Sequence, residues 1–161
     1  MALQEIGDLD GAAREFAESK GFGPRAVDSN GWTLLHHAAV QSQHTRGMFE
    51  VVRGLLEAVP VEVVDQRTGG GTPVGWSALS LVSNARDAAN ERAEIAKLLL
   101  AKAVDLEARN PQETTPLIAA CACGNWSCVR VLLDARANPF ATNIRGKNAL
   151  DVTPADQLQV V

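Results

Sequence analysis

Two adjacent histidines, His36 and His37, stand in the run GWTLLHHAA at residues 31–39. Imidazole is a frequent metal ligand and general base near neutral pH, so the pair invites a chemical reading. Its spacing opposes one. Helix neighbours diverge by about 100°, whereas two ligands gripping one ion need the i, i+4 relation that puts them on one face. The other histidine, His44, is seven and eight residues further on. Cys121, Cys123 and Cys128 spell C-x-C-x4-C, which lacks the second Cys or His pair that completes a zinc tetrahedron. Cys121 and Cys128 instead read as small packing residues, with Cys123 closer to the surface. Gly69-Gly70-Gly71 is followed by no Lys-Ser/Thr pair, so it reads as a loop tip and not as a phosphate cradle. Asn125-Trp126-Ser127 matches a glycosylation sequon but lies between two expected helices, and we read it as coincidence. No serine or cysteine stands in a nucleophile elbow, and no His/Asp pairing nominates a triad. Neither enzyme activity nor a cofactor nor a metal is expected.

The chain has 161 residues, 46% of them apolar and 21% charged, enough for one folded domain with a real core. A formal charge of −4 without any Lys/Arg-dense run argues against nucleic acid as partner. The apolar stretch IAKLLLAKAV at 95–104 holds two lysines and falls far short of the ~20 residues that span a bilayer, so membrane insertion is not expected. The opening MALQEIGDLD has neither the basic start nor the apolar core of a secretory signal. Three cysteines within eight residues cannot all pair with one another, which fits a reducing compartment. The expected location is intracellular, by default cytoplasmic.

Internal similarity tells more. GWTLLHHA (31–38), GWSALSLV (75–82), ETTPLIAA (113–120) and GKNALDVT (146–153) place a leucine at the same point of one unit: Leu35, Leu79, Leu117 and Leu150. After the first three come EVVRGLLEA (50–58), EIAKLLLAK (94–102) and SCVRVLLDA (127–135), apolar at helical spacing. Each unit therefore carries two helices, and AVDLEARN and ARANPFATN supply the turns between units. Thr33 and Thr115 can cap a first turn, and Pro116 suits the first helical position.

These motifs resemble the ankyrin repeat family, whose unit is a turn ending in Gly, a T-P-L-H-x-A-A helix and a second aliphatic helix. The closest matches are Gly31 through Ala39, and Thr115 through Ala120 with Gly124-Asn125 and Val131-Leu132-Leu133. The resemblance implies an all-α solenoid of stacked helix-turn-helix units with short hairpin loops, built as a single domain. Its expected parts are a partial N-terminal repeat at 1–27, repeats at 28–67, 68–108 and 109–142, and a closing repeat at 143–161. It also implies that His36 ties turns together and holds adjacent repeats in register. GDLDGAAREFAESKG (7–21) matches a second helix, with only a fragment of a first helix at 2–6.

Spacing departs from the family's period. Leu117 to Leu150 is 33 residues, Leu79 to Leu117 is 38 and Leu35 to Leu79 is 44. Both early repeats hold five extra residues between their helices, within 41–48 and 83–92, and the remaining six are assigned to the hairpin at 67–75. Loops take such insertions at small entropic cost.

By the resemblance, the work is non-catalytic protein–protein interaction, as an adaptor, scaffold or accessory subunit of a larger assembly. The alternative is a regulatory or targeting segment of a multidomain enzyme. The expected contact residues lie on hairpin tips and inner helix faces. They are Ser29, Asn30, Trp32, His37, Val40 and Gln41 from the first full repeat, and Trp76, Leu81, Asn84 and Ala85 from the second. Gln112, Glu113, Thr114, Ala122 and Cys123 follow from the third, and Ile144, Arg145 and Lys147 from the last. Trp32 and Trp76 share a repeat position, so they either form an aromatic ledge that anchors a partner or merely cover their own turns. The tail TPADQLQVV carries Leu158, Val160 and Val161, and one or both ends of the stack are expected to be apolar.

Overall fold

The computed structural model describes residues 9, 11–42, 47–70, 73–85 and 90–155. Among them are helices α1 (Gly11–Lys20), α2 (Leu34–Gln41), α3 (Met48–Ala58), α4 (Val61–Val64) and α5 (Ala78–Ser83), followed by α6 (Glu91–Leu100), α7 (Pro116–Cys123), α8 (Trp126–Asp134) and α9 (Ala149–Val152). No strand is assigned among these residues.

Local chemistry starts the helices where the motifs predict. The Thr33 hydroxyl accepts the His36 N–H while the His36 ring accepts the Thr33 N–H, a reciprocal cap that satisfies two otherwise orphaned donors. Ser77, Thr115 and Asn125 cap α5, α7 and α8 with a side-chain oxygen, and Asn148 caps α9 reciprocally with Asp151. Pro116 opens α7, and Gly124 closes it at φ +69°, a left-handed value that a side chain would resist.

The helices pack in two rows. In the inner row α2 touches α5, α5 touches α7 and α7 touches α9; in the outer row α1, α3, α6 and α8 touch in turn. Pairs α2·α3, α5·α6 and α7·α8 join the rows. Outer helices bury one stripe, as Val51, Val52, Leu55 and Leu56 do in α3, because i, i+3 and i+4 share a face. All six residues of inner helix α5 are buried, since it has neighbours on both sides and an outer helix behind. The helix expected from GDLDGAAREFAESKG is α1, in the outer row against α3. The first-helix fragment at 2–6 lies outside the described residues, as do Leu158, Val160 and Val161.

Among the described residues, four hairpins join the layers by one repeated device. The N–H of Asp28, Thr68, Asn110 and Asn143 donates to the carbonyl of Trp32, Trp76, Thr114 and Lys147, at 2.9, 3.0, 3.4 and 2.9 Å. In return, the Asp28, Thr68, Asn110 and Asn143 side chains accept the N–H of that same second residue. The two anchors are four residues apart in three hairpins and eight apart in the second. The second hairpin is thus longer by four residues and not six. The other two excess residues precede Thr68, in the segment that forms the additional short helix α4, started by Pro60. Residues 71 and 72, which include Gly71 of the glycine run, lie outside the described residues, as do 43–46 and 86–89 of the inter-helix insertions.

Candidate protein-interaction surface

The hairpin tips stand beside the inner helices because each tip's second anchor is followed at once by a helix cap. At the first tip the Asp28 carboxylate accepts the N–H groups of Asn30 and Trp32 at 2.8 and 3.0 Å, and its second oxygen meets His37 Nε2 at 3.0 Å. Burial works to raise the Asp28 pKa, but the Trp32 and Asn30 N–H groups and His37 outweigh it and hold the carboxyl below its ordinary range. The Trp32 indole lies 5.3 Å from the His37 ring, and Phe22 approaches that ring edge-on at 5.9 Å from the other repeat. The indole N–H donates to the Gly70 carbonyl at 3.3 Å, and the Gly70 N–H donates back to the Asn30 carbonyl. A Cβ on Gly31 would come within 3.0 Å of the Gly69 backbone, so glycine is needed for this approach.

Other tips are joined more lightly. The Ile144 N–H donates to the Gln112 carbonyl at 3.0 Å, and Gly75 sits against Pro111. Beneath the tips a ladder of arginines runs along the stack. Arg67 donates to the Arg109 carbonyl at 2.7 Å, and Arg109 to the Thr142 carbonyl at 3.0 Å, each from the position just before its own hairpin anchor to the same position in the next repeat.

His36 is 1% exposed. Its Nδ1 accepts from the Thr33 backbone at 3.0 Å, so Nε2 carries the hydrogen and donates to the Gln66 carbonyl at 2.9 Å. Burial lowers its pKa to about 4, which keeps it neutral. Cys121 and Cys128 are buried, and burial raises the Cys121 thiol. Partly exposed Cys123 donates its S–H to Asn84 Oδ1 at 3.2 Å. No group of three or more His, Cys, Asp or Glu side chains converges as a metal cage among the described residues, and His44 lies outside them. Asn125, of the sequon, is 0% exposed and caps α8 while donating to the Val82 and Ser83 carbonyls of α5. No glycan could reach it in the folded chain.

Family models for ankyrin repeats match two stretches of the chain: one described as many copies matches residues 98–152, and one for the single repeat matches 30–66. The chain is an ankyrin-repeat protein. Over 90 residues it is 28% identical to an ankyrin repeat protein of Acanthamoeba polyphaga mimivirus, in a match covering 56% of this chain and 51% of that one. The chain thus spans about half the length of this curated relative. Ankyrin repeats are generally modules of protein–protein interaction, and nothing in these matches carries catalysis. None of the described helices is long and apolar enough to cross a membrane.

On this ankyrin stack the expected contact residues divide into groups. Ser29, Asn30, Gln112, Glu113, Ala122, Ile144, Arg145 and Lys147 are exposed. Trp32, His37, Val40, Gln41, Trp76, Asn84, Ala85, Thr114 and Cys123 are half-buried. Leu81 corrects the expectation: it is 2% exposed, because α5 is covered on three sides, and it belongs to the core. The ring neighbours of Trp32 are His36 and His37, while Trp76 packs on the hydrophobic core. Asp28 and Phe22 escaped notice in the sequence. Asp28 could have been found, since it precedes Trp32 by the same four residues that separate Asn110 from Thr114 and Asn143 from Lys147.

Proposed function

We propose that this ankyrin stack is a non-catalytic adaptor, scaffold or accessory subunit that binds a protein partner through its hairpin tips and inner-helix face. The observation that carries the reading is the repeated anchor. Asp28, Asn110 and Asn143 each fix a tip with two backbone N–H bonds, so exposed Asn30, Gln112 and Arg145 are held in order before any partner arrives. Pre-ordered loops bind without the entropic cost of ordering them. Cys121, Cys123 and Cys128 form no disulfide, and two of them are buried, which fits an intracellular and by default cytoplasmic setting. The partner is found by affinity purification from the native source with mass spectrometry, then titrated against the protein and the triple variant Asn30→Ala, Gln112→Ala, Arg145→Ala. The expected result is at least a tenfold loss of affinity with unchanged thermal unfolding. Unchanged affinity would remove the tips from the interface.

A further inference from the structure

The motif leucine is repeated four times, and its burial breaks once. Leu35, Leu79 and Leu117 are 2%, 1% and 2% exposed, whereas Leu150 is 56% exposed. In each of the first three cases an outer helix, α3, α6 or α8, packs against the inner helix that bears the leucine. At Leu150 that place holds a groove of about 200 Å³ lined by Leu117, Cys121, Val129, Leu133, Phe140 and Leu150. Phe140 is 81% exposed and Leu133 37%. The groove continues the packing of α3 on α6 on α8, so an α-helix with an apolar stripe fits it in shape and chemistry.

Charge says which kind of helix. From Arg136 to Leu150 the chain carries Arg136, Arg145 and Lys147 and no acid, in a protein whose net charge is −4. All three are exposed, and no ion pair or side-chain hydrogen bond engages their side chains among the described residues. Of the neighbouring acids, Asp151 caps α9 by accepting the Asn148 N–H, Asp134 faces a groove between α6 and α8, and Glu107 from the preceding repeat accepts the Asn138 N–H, leaving three cations to one facing acid. Lys147 adjoins Asn148, which lines the apolar groove, and Arg136 follows Leu133 by three residues.

We propose that this groove is the docking slot for an amphipathic α-helix of a partner protein, with acidic residues outside its apolar stripe, seated as the next member of the outer row. The apolar lining lies outside the hairpin tips, whereas Arg145 and Lys147 of the last tip supply part of the charge.

The test uses the full 161-residue protein and two labelled synthetic helical peptides that share one Leu/Val/Ala stripe. The remaining positions are mostly Glu in one and mostly Lys in the other, and binding is read by fluorescence anisotropy. The Glu peptide is expected to bind, and the Lys peptide at least about tenfold more weakly, because like charge across an interface is penalised. Leu150→Glu should weaken the Glu peptide more than tenfold while thermal unfolding stays put, since the side chain is already in water. Should Leu150→Glu fail to fold, Phe140→Ser at the most exposed lining residue makes the same test. Joint replacement Arg145→Glu and Lys147→Glu should invert the preference between peptides. The proposal is overturned by equal affinity for both peptides, by no binding of either, or by binding that survives Leu150→Glu. Two further outcomes replace the occupant and also overturn it. One is self-association in light scattering that Leu150→Glu abolishes, which assigns the slot to a second copy. The other is peptide binding that emerges only with Leu158→Asp, which assigns it to residues 156–161.

Discussion

The Nε2–H of His36 donates to the carbonyl oxygen of Gln66 at 2.9 Å, joining the first inner helix to the segment that leads into the second hairpin. The same ring caps its own helix through Thr33. Protonation would remove the acceptor at Nδ1 and place a charge where burial already depresses the pKa to about 4. The unfolded chain binds that proton near pH 6.5 and the folded chain only near 4. Stability is therefore full above pH 6.5 and lost as pH falls toward 4, by on the order of 3 kcal/mol. Asp28, whose carboxyl is held low, adds a loss in the same direction at still lower pH. Urea midpoints at pH 7.5, 5.5 and 4.5 should fall for the wild type. His36→Leu should start about 1–3 kcal/mol lower, with Thr33 N–H and Gln66 C=O unpaired, and show a flatter profile. An unchanged slope in His36→Leu would mean that another group titrates.

Gly75 and Gly146 hold the same hairpin position at φ +71° and +68°, but only at Gly75 would a Cβ collide, 2.8 Å from the Pro111 ring. Gly146→Ala should cost about 1 kcal/mol from the left-handed backbone alone. Gly75→Ala should cost at least about 1 kcal/mol more, because the proline ring has no rotamer to yield. Equal thermal shifts for the two variants would show that the second and third tips are not in close contact.

Asn125 ties α8 to α5 as well as capping it, with Nδ2 at 3.4 Å from the Val82 and Ser83 carbonyls. Asn125→Ala should lose about 2–3 kcal/mol, a cap together with buried carbonyls left unpaired. Asn148→Ala, which removes a less buried cap at the last layer, should lose only about 1 kcal/mol. Denaturant unfolding of both variants decides whether the tie between layers matters beyond the cap.

Layer structure was legible in the sequence because it is written in periodic apolar residues and in small capping motifs, both local signals. Leu35, Leu79, Leu117, Thr33, Thr115 and Pro116 all stand where their spacing put them. Tertiary tailoring was not legible. Leu81 sits one turn from positions that face outward in other layers, yet the covering of α5 on three sides buries it. The partners of Trp32 and His37 could not be read either, since Gly70 reaches the indole and Phe22 the His37 ring from neighbouring repeats through loops whose lengths differ. The insertion at 67–75 was placed in the right region, but a residue count cannot divide six residues between a hairpin tip and the short helix α4 ahead of it.

Trp32 separates fold from binding more cleanly than Trp76. Trp32→Phe keeps a ring beside His37 and removes one N–H bond to Gly70, so unfolding should shift by about 1 kcal/mol or less while partner affinity holds. Trp32→Ala should weaken the partner by about 2 kcal/mol, roughly thirtyfold. Trp76→Ala should act mainly on stability, because that side chain packs on the core. Calorimetric titration and thermal melts of the three variants read both effects. Wild-type affinity in Trp32→Ala would take the indole out of the interface.

Since the single hydrogen on the Trp32 indole nitrogen is already claimed by Gly70, a guest arriving there meets a flat greasy plane with no spare donor. It is then chosen by contour, unless it competes for that hydrogen. In that event the latch between the first two loops opens, and recognition and loosening of the adjoining layer become one event.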